Sequence, residues 1–413
     1  MTRPRPGLAT ASAATRALHE PIDANAPYLH PERRSIQRDL GSSAGGIAWQ
    51  DAKAAFVARG DGVWSELPHL YARYGTPGTA ELIAALRALE EARCALVTDC
   101  GMQAVALVGD AAIADGVHVV AMRQVYNKTR AFFETTCRRV GATLALVDDG
   151  DHAALAAALR DGTRLVFAET FTNPLGRAQD VPALAELVHR VPGARLVIDS
   201  TIATPWGVRT PLLARGADVV VGSLTKALGG QDAALGGYIA TDDAALANQV
   251  MDLVAMRGGI LDDDRARRVV AGLPRACEAH ARRCTTAARV AAWLADHARI
   301  ERVFHPSRSD HPDAAVIARD YTRTGSLLAF RVRDADEAAH RELADRLASC
   351  GIVRYALSFD GLVTKVNHHR SVSEYTTPAE VVARLGIDRL IRLGIGLEDA
   401  DDLIACLDWT LAR

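Results

Sequence analysis

The feature that most constrains this 413-residue chain is a repeated alternation of short apolar runs with helix-length amphipathic segments. From about residue 80 onward, β-rich runs end in polar or small residues, as in "CALVTDC", "VHVVAM", "ATLALVDD", "RLVFAET", "RLVIDST" and "ADVVVGS". Segments such as "GMQAVALVGDAAIADG" and "DVPALAELVHRV" separate most of them. Strands that alternate with helices predict a mostly parallel sheet covered on both faces, and therefore an α/β fold.

Periodicity and composition divide the chain into three parts. Residues 1–60 have weak periodicity and many Gly, Ser and Pro, which predicts an extended arm with one short helix. Residues 61–260 carry the alternation and are predicted to form a large domain. An Ala- and Arg-rich helical stretch then precedes "SLLAFRV" and "RLIRLGIG", which predicts a smaller C-terminal α+β domain over residues 261–413. A chain of this length has room for two cores.

Composition narrows the classes of partner. Lys and Arg number 48 and Asp and Glu 50, so the formal net charge of -2 offers no basic field for nucleic acid or an anionic membrane, and the predicted partner is a small molecule. No apolar run reaches the roughly 20 residues of a membrane span. The first twenty residues fit an organelle presequence or an ordinary arm, and we favour the arm. Seven irregularly spaced cysteines predict no disulfide framework and a reducing, cytoplasmic location.

Two charged residues follow the predicted strands where the apolar runs end. Ligands of parallel sheets bind outside the carboxyl ends of the strands. Asp199 ends the run "RLVI", where a carboxylate could face a protonated ring nitrogen, although taken alone it fits a helix cap better. Lys226 follows in "GSLTK"; a partly desolvated lysine forms a Schiff base with an aldehyde cofactor, although taken alone this motif fits an exposed loop lysine better.

Further polar and aromatic residues at other strand ends complete the pattern. The hydroxyls of Ser223 and Thr225 suit phosphate oxygens, and Gly101 and Met102 open a helix whose first N–H groups form an anion site. Tyr126 can stack on a planar heterocycle. Each has an ordinary explanation as turn or packing. Together with the lysine and the aspartate, they supply every group that a pyridoxal phosphate site needs.

These residues resemble the Cys/Met-metabolism family of pyridoxal phosphate enzymes, which includes cystathionine γ-synthase, cystathionine γ-lyase, methionine γ-lyase and O-acetylhomoserine sulfhydrylase. The resemblance runs from about Tyr71 to the C-terminus. It implies an aspartate aminotransferase-like fold, known as fold type I. It also implies that Lys226 holds the cofactor as an internal aldimine and later moves protons at Cα and Cβ, while Asp199 keeps the pyridinium nitrogen protonated and Tyr126 stacks on the ring.

The remaining family motifs assign further cofactor residues by resemblance. "DCGMQA" matches the Ser-Gly-Met phosphate turn, and "GSLTK" supplies the phosphate-binding hydroxyls. "ETFTNPLG" implies that Asn173 bonds the ring hydroxyl, and Thr201 lies beside the aspartate in "DSTIATP". "YARYG" implies that Tyr71 and Arg73 reach the cofactor phosphate of a neighbouring subunit. The resemblance therefore implies a homotetramer built from two dimers that share active sites.

The predicted substrate residues combine one match and two departures. In "RLGIGLEDADDLI", Arg392 would clamp the substrate α-carboxylate as a bidentate pair. The family's Ser-Leu-Gly-Gly turn corresponds to "LSFDGL", which keeps Ser358 but has Phe359 and Asp360 next. Lys128 lies in "YNKT", where relatives carry glycine or cysteine near the substrate side chain. We therefore hypothesise a charged or polar γ-substituent.

The resemblance implies an enzyme that performs γ-elimination on a γ-substituted L-amino acid and releases a 2-oxo acid and ammonia. γ-Replacement, the transferase reaction of the cystathionine γ-synthase and O-acetylhomoserine sulfhydrylase type, uses the same residues and stays open. A non-catalytic cofactor-binding protein is a remote alternative. The joint presence of Lys226, Tyr126 and Arg392 argues against it, because a scaffold has no use for a carboxylate clamp.

Other signals are interpreted as ordinary structure. Cys277, His280 and Cys284 share a helical face but lack a fourth ligand nearby, so packing is favoured and no metal is predicted. His368 and His369 are predicted to be a solvated pair in a mobile loop.

Overall fold

The structure, a computed structural model, describes residue 13 and residues 42–58, 71–229, 232, 234–375 and 377–412. Twelve strands are assigned in this part: β1 Cys94–Thr98, β2 His118–Met122, β3 Thr143–Val147, β4 Thr163–Glu169, β5 Arg195–Asp199, β6 Val219–Ser223, β7 Gly237–Thr241, β8 Ile300–Phe304, β9 Leu327–Val332, β10 Arg354–Tyr355, β11 Lys365–His368 and β12 Ile391–Gly394.

The helices of the same part alternate with these strands. They are α1 Ser43–Ala58, α2 Pro77–Glu90, α3 Gly101–Ala112, α4 Asn127–Val140, α5 His152–Ala158, α6 Val181–Val188, α7 Thr204–Gly207, α8 Ala244–Arg257, α9 Asp263–Asp296, α10 Ala314–Asp320, α11 Glu337–Ala348, α12 His369–Val372, α13 Ala379–Leu385 and α14 Ala400–Leu411. No helix in the described part combines the length and apolar character that crossing a membrane requires.

Seven strands form the large sheet in the order β1-β7-β6-β5-β4-β2-β3. The six apolar runs predicted as strands are confirmed as β1 to β6. Strands β3, β2, β4, β5 and β6 are parallel, while β7 runs antiparallel to both β1 and β6. The mostly parallel α/β fold is therefore confirmed. Its parallel strands end at one edge, which places Glu169, Asp199 and Ser223 near each other.

A second sheet has five strands in the order β10-β11-β12-β9-β8 and is mainly antiparallel. The long helix α9 links the two cores. Its first turns bury Ala266 and Leu273 in the large core, and its later turns bury Val290 and Leu294 in the core of the small sheet. The smaller α+β unit is confirmed, and the boundary at residue 261 stays a prediction.

Short-range signals determine several helix boundaries. The side chain of Thr76 accepts from the backbone N–H of Thr79 at 3.2 Å, and a reciprocal bond completes a capping box before Pro77. Asp262 caps α9 by accepting from the Arg265 N–H at 2.9 Å. The apolar face of each helix then packs on the sheet, so local caps and long-range burial favour the same boundaries.

Two expectations about the C-terminal part are wrong. The cysteine spacing argues against a disulfide framework and for a reducing location, whereas the structure pairs Cys350 with Cys406, 56 residues apart, because α11 and α14 pack side by side. The predicted solvated histidines are instead buried, with His368 0% and His369 1% exposed. His368 ends β11 and pairs with Ile391 inside the small sheet, so it is enclosed by neighbouring strands that its own polar segment does not reveal.

Candidate active site

The carboxyl ends of the parallel strands open into a cleft of about 480 Å³. The loops and helices that connect the strands of both sheets contribute to the walls of the cleft. Twelve of the predicted site residues line it: Gly101, Met102, Tyr126, Lys128, Asn173, Asp199, Thr201, Ser223, Thr225, Lys226, Ser358 and Arg392. Residues from distant parts of the sequence therefore meet at the edge of the sheet where the strand pattern predicts a ligand.

Lys226 lies in the short helical turn Leu224–Leu228 that directly follows β6, and its own backbone departs from helical geometry (φ -90°, ψ -136°). Its Nζ donates to the hydroxyl of Ser358 and lies 4.7 Å from the centre of the Phe359 ring. Burial lowers the pKa of the Lys226 amine, and the carboxylate of Asp360 opposes this shift. A desolvated amine with a lowered pKa is suited to Schiff base formation and to moving protons.

Asp199 and Glu169 form a pair of neighbouring carboxylates at the ends of β5 and β4, where they occupy paired positions. Asp199 accepts a 2.8 Å bond from the Thr201 N–H, and Glu169 accepts a 2.5 Å bond from the Tyr126 N–H. Burial raises the pKa of Asp199; burial and then the charge of Asp199 raise the pKa of Glu169. A cation placed beside Asp199 would favour its ionised form, so a protonated ring nitrogen fits here.

One end of the cleft is formed by the start of α3 and the end of β6. A methyl group on Gly101 would lie only 2.9 Å from Cβ of Ser223, so glycine permits this close approach. Cys100 precedes the helix and provides no side-chain cap, and Cys100, Gly101 and Met102 at this uncapped helix start line the cleft. The Ser223 N–H donates to Thr201 Oγ1 at 2.9 Å. This helix start and the neighbouring hydroxyls fit a phosphate group.

The hydroxyl of Thr225 is already engaged within the loop that follows Lys226. It accepts from the Gly236 N–H at 3.1 Å and donates to the Gly236 carbonyl at 3.3 Å. Thr225 still lines the cleft. Its two bonds to Gly236 hold the shape of the lysine loop and use one acceptor position of the hydroxyl oxygen.

Arg392 is a buried cation that pairs with no carboxylate in the described part of the chain. It lies on β12 and is 3% exposed. Its guanidinium donates to the Leu357 carbonyl at 2.8 Å and to Asn173 Oδ1 at 3.4 Å, and none of the described carboxylates lies within ion-pair distance. Burial lowers its pKa to about 10. A buried guanidinium with neutral partners provides a site for the carboxylate of a ligand.

Tyr126 and Lys128 present side chains from the beginning of α4. The Tyr126 side chain is 43% exposed and lines the cleft, and burial of the remainder raises its pKa. Lys128 is exposed at the cleft and forms no ion pair with the described residues. Tyr126 therefore lies where it could stack on a cofactor ring, and Lys128 lies where it could contact a substrate.

Three predicted residues lie elsewhere. Tyr71 and Arg73 are exposed outside the cleft of their own chain, with the guanidinium 5.4 Å from the Tyr71 ring centre. Their predicted contact with a neighbouring subunit stays a prediction. Asp360, expected to face the γ-substituent, is 2% exposed and does not line the cleft. Its backbone adopts φ 60° and its carboxylate accepts from the Ser326 hydroxyl, so the side chain is directed into the protein.

Sequence reasoning assigned no role to several lining residues. Glu169 ends β4 as Asp199 ends β5, and two acids that end neighbouring parallel strands could have indicated the carboxylate pair. The segment 372–375 contributes Val372, Ser373 and Tyr375. Nothing in its local sequence indicates a cleft, because its position depends on contacts with α4 far earlier in the chain.

The sequence matches the family described as Cys/Met metabolism PLP-dependent enzyme over residues 52–412. It is 31% identical to an L-methionine gamma-lyase of Fusobacterium nucleatum subsp. polymorphum, covering 84% of this chain and 87% of that protein. It is 32% identical to an O-succinylhomoserine sulfhydrylase of Pseudomonas aeruginosa, covering 88% and 87%.

The fold also agrees with solved structures. A cystathionine gamma synthase from Xanthomonas oryzae pv. oryzae, solved in complex with cystathionine, superposes with a TM-score of 0.78 at 30% identity, covering 84% of this chain and 88% of that one. The match in sequence, fold and cleft composition leads to one conclusion: the chain belongs to the Cys/Met-metabolism family of pyridoxal phosphate-dependent enzymes.

Proposed function

We propose that this enzyme catalyses γ-elimination on a γ-substituted L-amino acid, releasing a 2-oxo acid, ammonia and the leaving group. The observation that carries the proposal is the buried Arg392 guanidinium, which has no anionic partner among the described residues and lies in the same cleft as the desolvated Lys226 amine. An amino acid supplies the missing carboxylate and presents its Cα and Cβ protons to the lysine.

Each residue has a defined task in this proposal. Pyridoxal phosphate, when bound, supplies a ring that takes up the electron pair left after Cα loses its proton. Lys226 would hold the cofactor through its aldehyde carbon and would move protons at Cα and Cβ of the substrate, while Asp199 would keep a proton on the ring nitrogen. The hydroxyl of Ser223 and the N–H groups at Gly101 would bind the phosphate, and Asn173 would donate to the ring hydroxyl from an amide that already accepts from Arg392.

The assay that tests this function supplies γ-substituted amino acids to the purified enzyme without an added nucleophile and measures 2-oxo acid. Release at a steady rate is expected, and a Lys226→Ala variant should be inactive because no amine remains to move the protons. The P. aeruginosa relative favours γ-replacement as the second candidate. Product that appears only when a thiol is added would assign the transferase reaction instead. Full biological effect of Lys226→Ala would favour a non-catalytic protein.

The leaving group is proposed to be anionic or strongly polar. Lys128 is an exposed cation at the cleft without an ion-pair partner among the described residues. It would attract a carboxylate or phosphate at the distal end of the substituent. Lys128→Ala should raise KM for anionic substituents by roughly 3- to 5-fold and leave neutral ones unchanged, since an exposed charge pair contributes up to about 1 kcal/mol. An unchanged preference would exclude this role.

We also propose a homotetramer in which pairs of subunits share active sites. Tyr71 and Arg73 are exposed outside their own cleft and are therefore accessible to a second copy. Mixing an inactive Arg73→Ala variant with an inactive Lys226→Ala variant should restore activity, since hybrid dimers would contain one intact site. Light scattering measures the assembly size. A monomer, or the absence of complementation, would contradict the shared site.

A further inference from the structure

One wall of the cleft is formed by two segments that meet only in the folded chain. The first turn of α4 contributes Asn127, Lys128 and Thr129, and the segment 372–375, which begins at the last residue of α12, contributes Ser373 and Tyr375. Lys128 and Tyr375 are exposed at this wall, so a substrate's variable group can contact both sides of the junction. The distance between the two segments consequently determines the width of the cleft here.

A buried ion pair fixes that distance. Arg130 Nη2 on α4 donates to Glu374 Oε2 at 2.9 Å, and the two side chains are only 12% and 7% exposed. The same nitrogen donates to Thr377 Oγ1 at 3.3 Å, and the Thr377 hydroxyl donates to the Glu374 carboxylate at 2.5 Å. Asn127 Nδ2 adds a bond to the Ser373 carbonyl one helical turn earlier.

Among the described residues of this wall, Lys128 is the charge that has no ion-pair partner. Glu374 is neutralised by Arg130, so its carboxylate does not oppose Lys128, and neither partner of the ion pair lines the cleft. Removing one partner of a buried pair leaves the other charged and desolvated, which is strongly unfavourable. The 372–375 segment would then move toward water so that the remaining charge is solvated, because few other bonds attach the segment to α4.

We propose that Arg130 and Glu374 are positioning residues that hold the 372–375 segment against α4 and thereby limit the size of the γ-substituent the enzyme accepts. The proposed selectivity rests on the proposed function. The ordering of the 372–375 segment is independent of that function and can be measured without any turnover.

The first test is hydrogen–deuterium exchange of residues 369–377 in the purified holoenzyme. Arg130→Met and Glu374→Gln should both accelerate exchange in this segment by tenfold or more, while Arg130→Lys, which retains the charge, should remain close to wild type. Arg139→Met, an exposed change on the same helix, serves as the matched control. Unchanged exchange in Arg130→Met and Glu374→Gln would overturn the proposal.

The second test compares kcat and KM for γ-substituted amino acids of increasing size. In Arg130→Met and Glu374→Gln, the preference for small over large substituents should fall about tenfold through KM, with kcat for the smallest substrate and the near-visible absorbance of bound cofactor retained. Equal loss of activity on every substrate, or loss of the absorbance, would contradict a selectivity role. If wild type eliminates nothing, the proposed function fails, and selectivity is then read from the affinities of unreactive L-alanine and L-norleucine, measured by absorbance change.

Discussion

At the scale of single residues, Arg392 illustrates how burial prepares a binding group. Its guanidinium is enclosed in β12, where its hydrogen bonds within the described residues go to the Leu357 carbonyl and the Asn173 amide oxygen. Burying a charge among neutral partners costs free energy, and this cost lowers the pKa of Arg392 to about 10. An incoming carboxylate relieves that cost and is therefore held more strongly than at an exposed arginine.

The first prediction concerns this residue. Arg392→Lys should lower kcat/KM by on the order of 10- to 100-fold, mainly through KM, because a point charge cannot form the bidentate bonds of a guanidinium and charge-assisted bonds contribute about 1.5–3 kcal/mol. Steady-state kinetics measure the change. Arg389→Lys is the control, since Arg389 lies three residues earlier and pairs with Glu301 at 3.6 Å away from the cleft. Equal kinetics for both variants would remove Arg392 from the substrate site.

At the scale of elements, the phosphate end depends on how closely α3 approaches β6. Gly101 opens the helix and contacts Ser223 at the end of the strand. Two elements that are distant in sequence thus present N–H groups and a hydroxyl to the same volume. The absent side chain at the helix start is what allows this approach.

The second prediction tests that contact. Gly101→Ala should weaken pyridoxal phosphate binding by about tenfold or more, equivalent to roughly 1.4 kcal/mol, since its methyl group would lie 2.9 Å from Ser223 Cβ. Titration of cofactor into the apoprotein measures the dissociation constant. The matched control is Gly272→Ala inside α9, where the nearest atom would be 3.9 Å away. Unchanged affinity in Gly101→Ala would place the phosphate elsewhere.

At the scale of the whole molecule, buried acids make the stability dependent on pH. Glu90 ends α2, is 1% exposed, and accepts a 2.5 Å bond from the Tyr238 hydroxyl on β7. Burial raises its pKa from 4.5 to about 7, and burial raises that of Asp149 to about 7 as well. The folded protein therefore binds more protons than the unfolded chain between these values.

The third prediction follows from the larger number of protons that the folded protein binds. The stabilisation from protonated Glu90 is fully present below about pH 4.5 and is lost as the pH rises to about 7, a change on the order of 3 kcal/mol. Glu90→Gln should flatten that decline while the part due to Asp149 remains. Urea unfolding across this pH range measures it. Glu91→Gln, an exposed change at the same helix end, should keep the slope; an unchanged slope in Glu90→Gln would contradict the assignment.

Local patterns were sufficient for most of the fold and part of the site. The apolar runs gave β1 to β6, and polar residues at their ends gave Asp199, Ser223 and Lys226, because carboxyl ends of parallel strands share an edge. Strand β7, "GYIAT", was missed. It returns antiparallel without a helical crossover, so it breaks the alternation on which the other strands were recognised.

The amino-acid sequence by itself determined the kinds of chemical group available and the strand that carries each one, since these follow from residue type and local periodicity. Only the tertiary structure decided which groups face each other. It directed Asp360 away from the cleft, buried His368 and His369, joined Cys350 to Cys406, and placed Glu374 against Arg130. The physical reason is that burial and pairing across the chain depend on packing between elements, and no local window of sequence contains both partners.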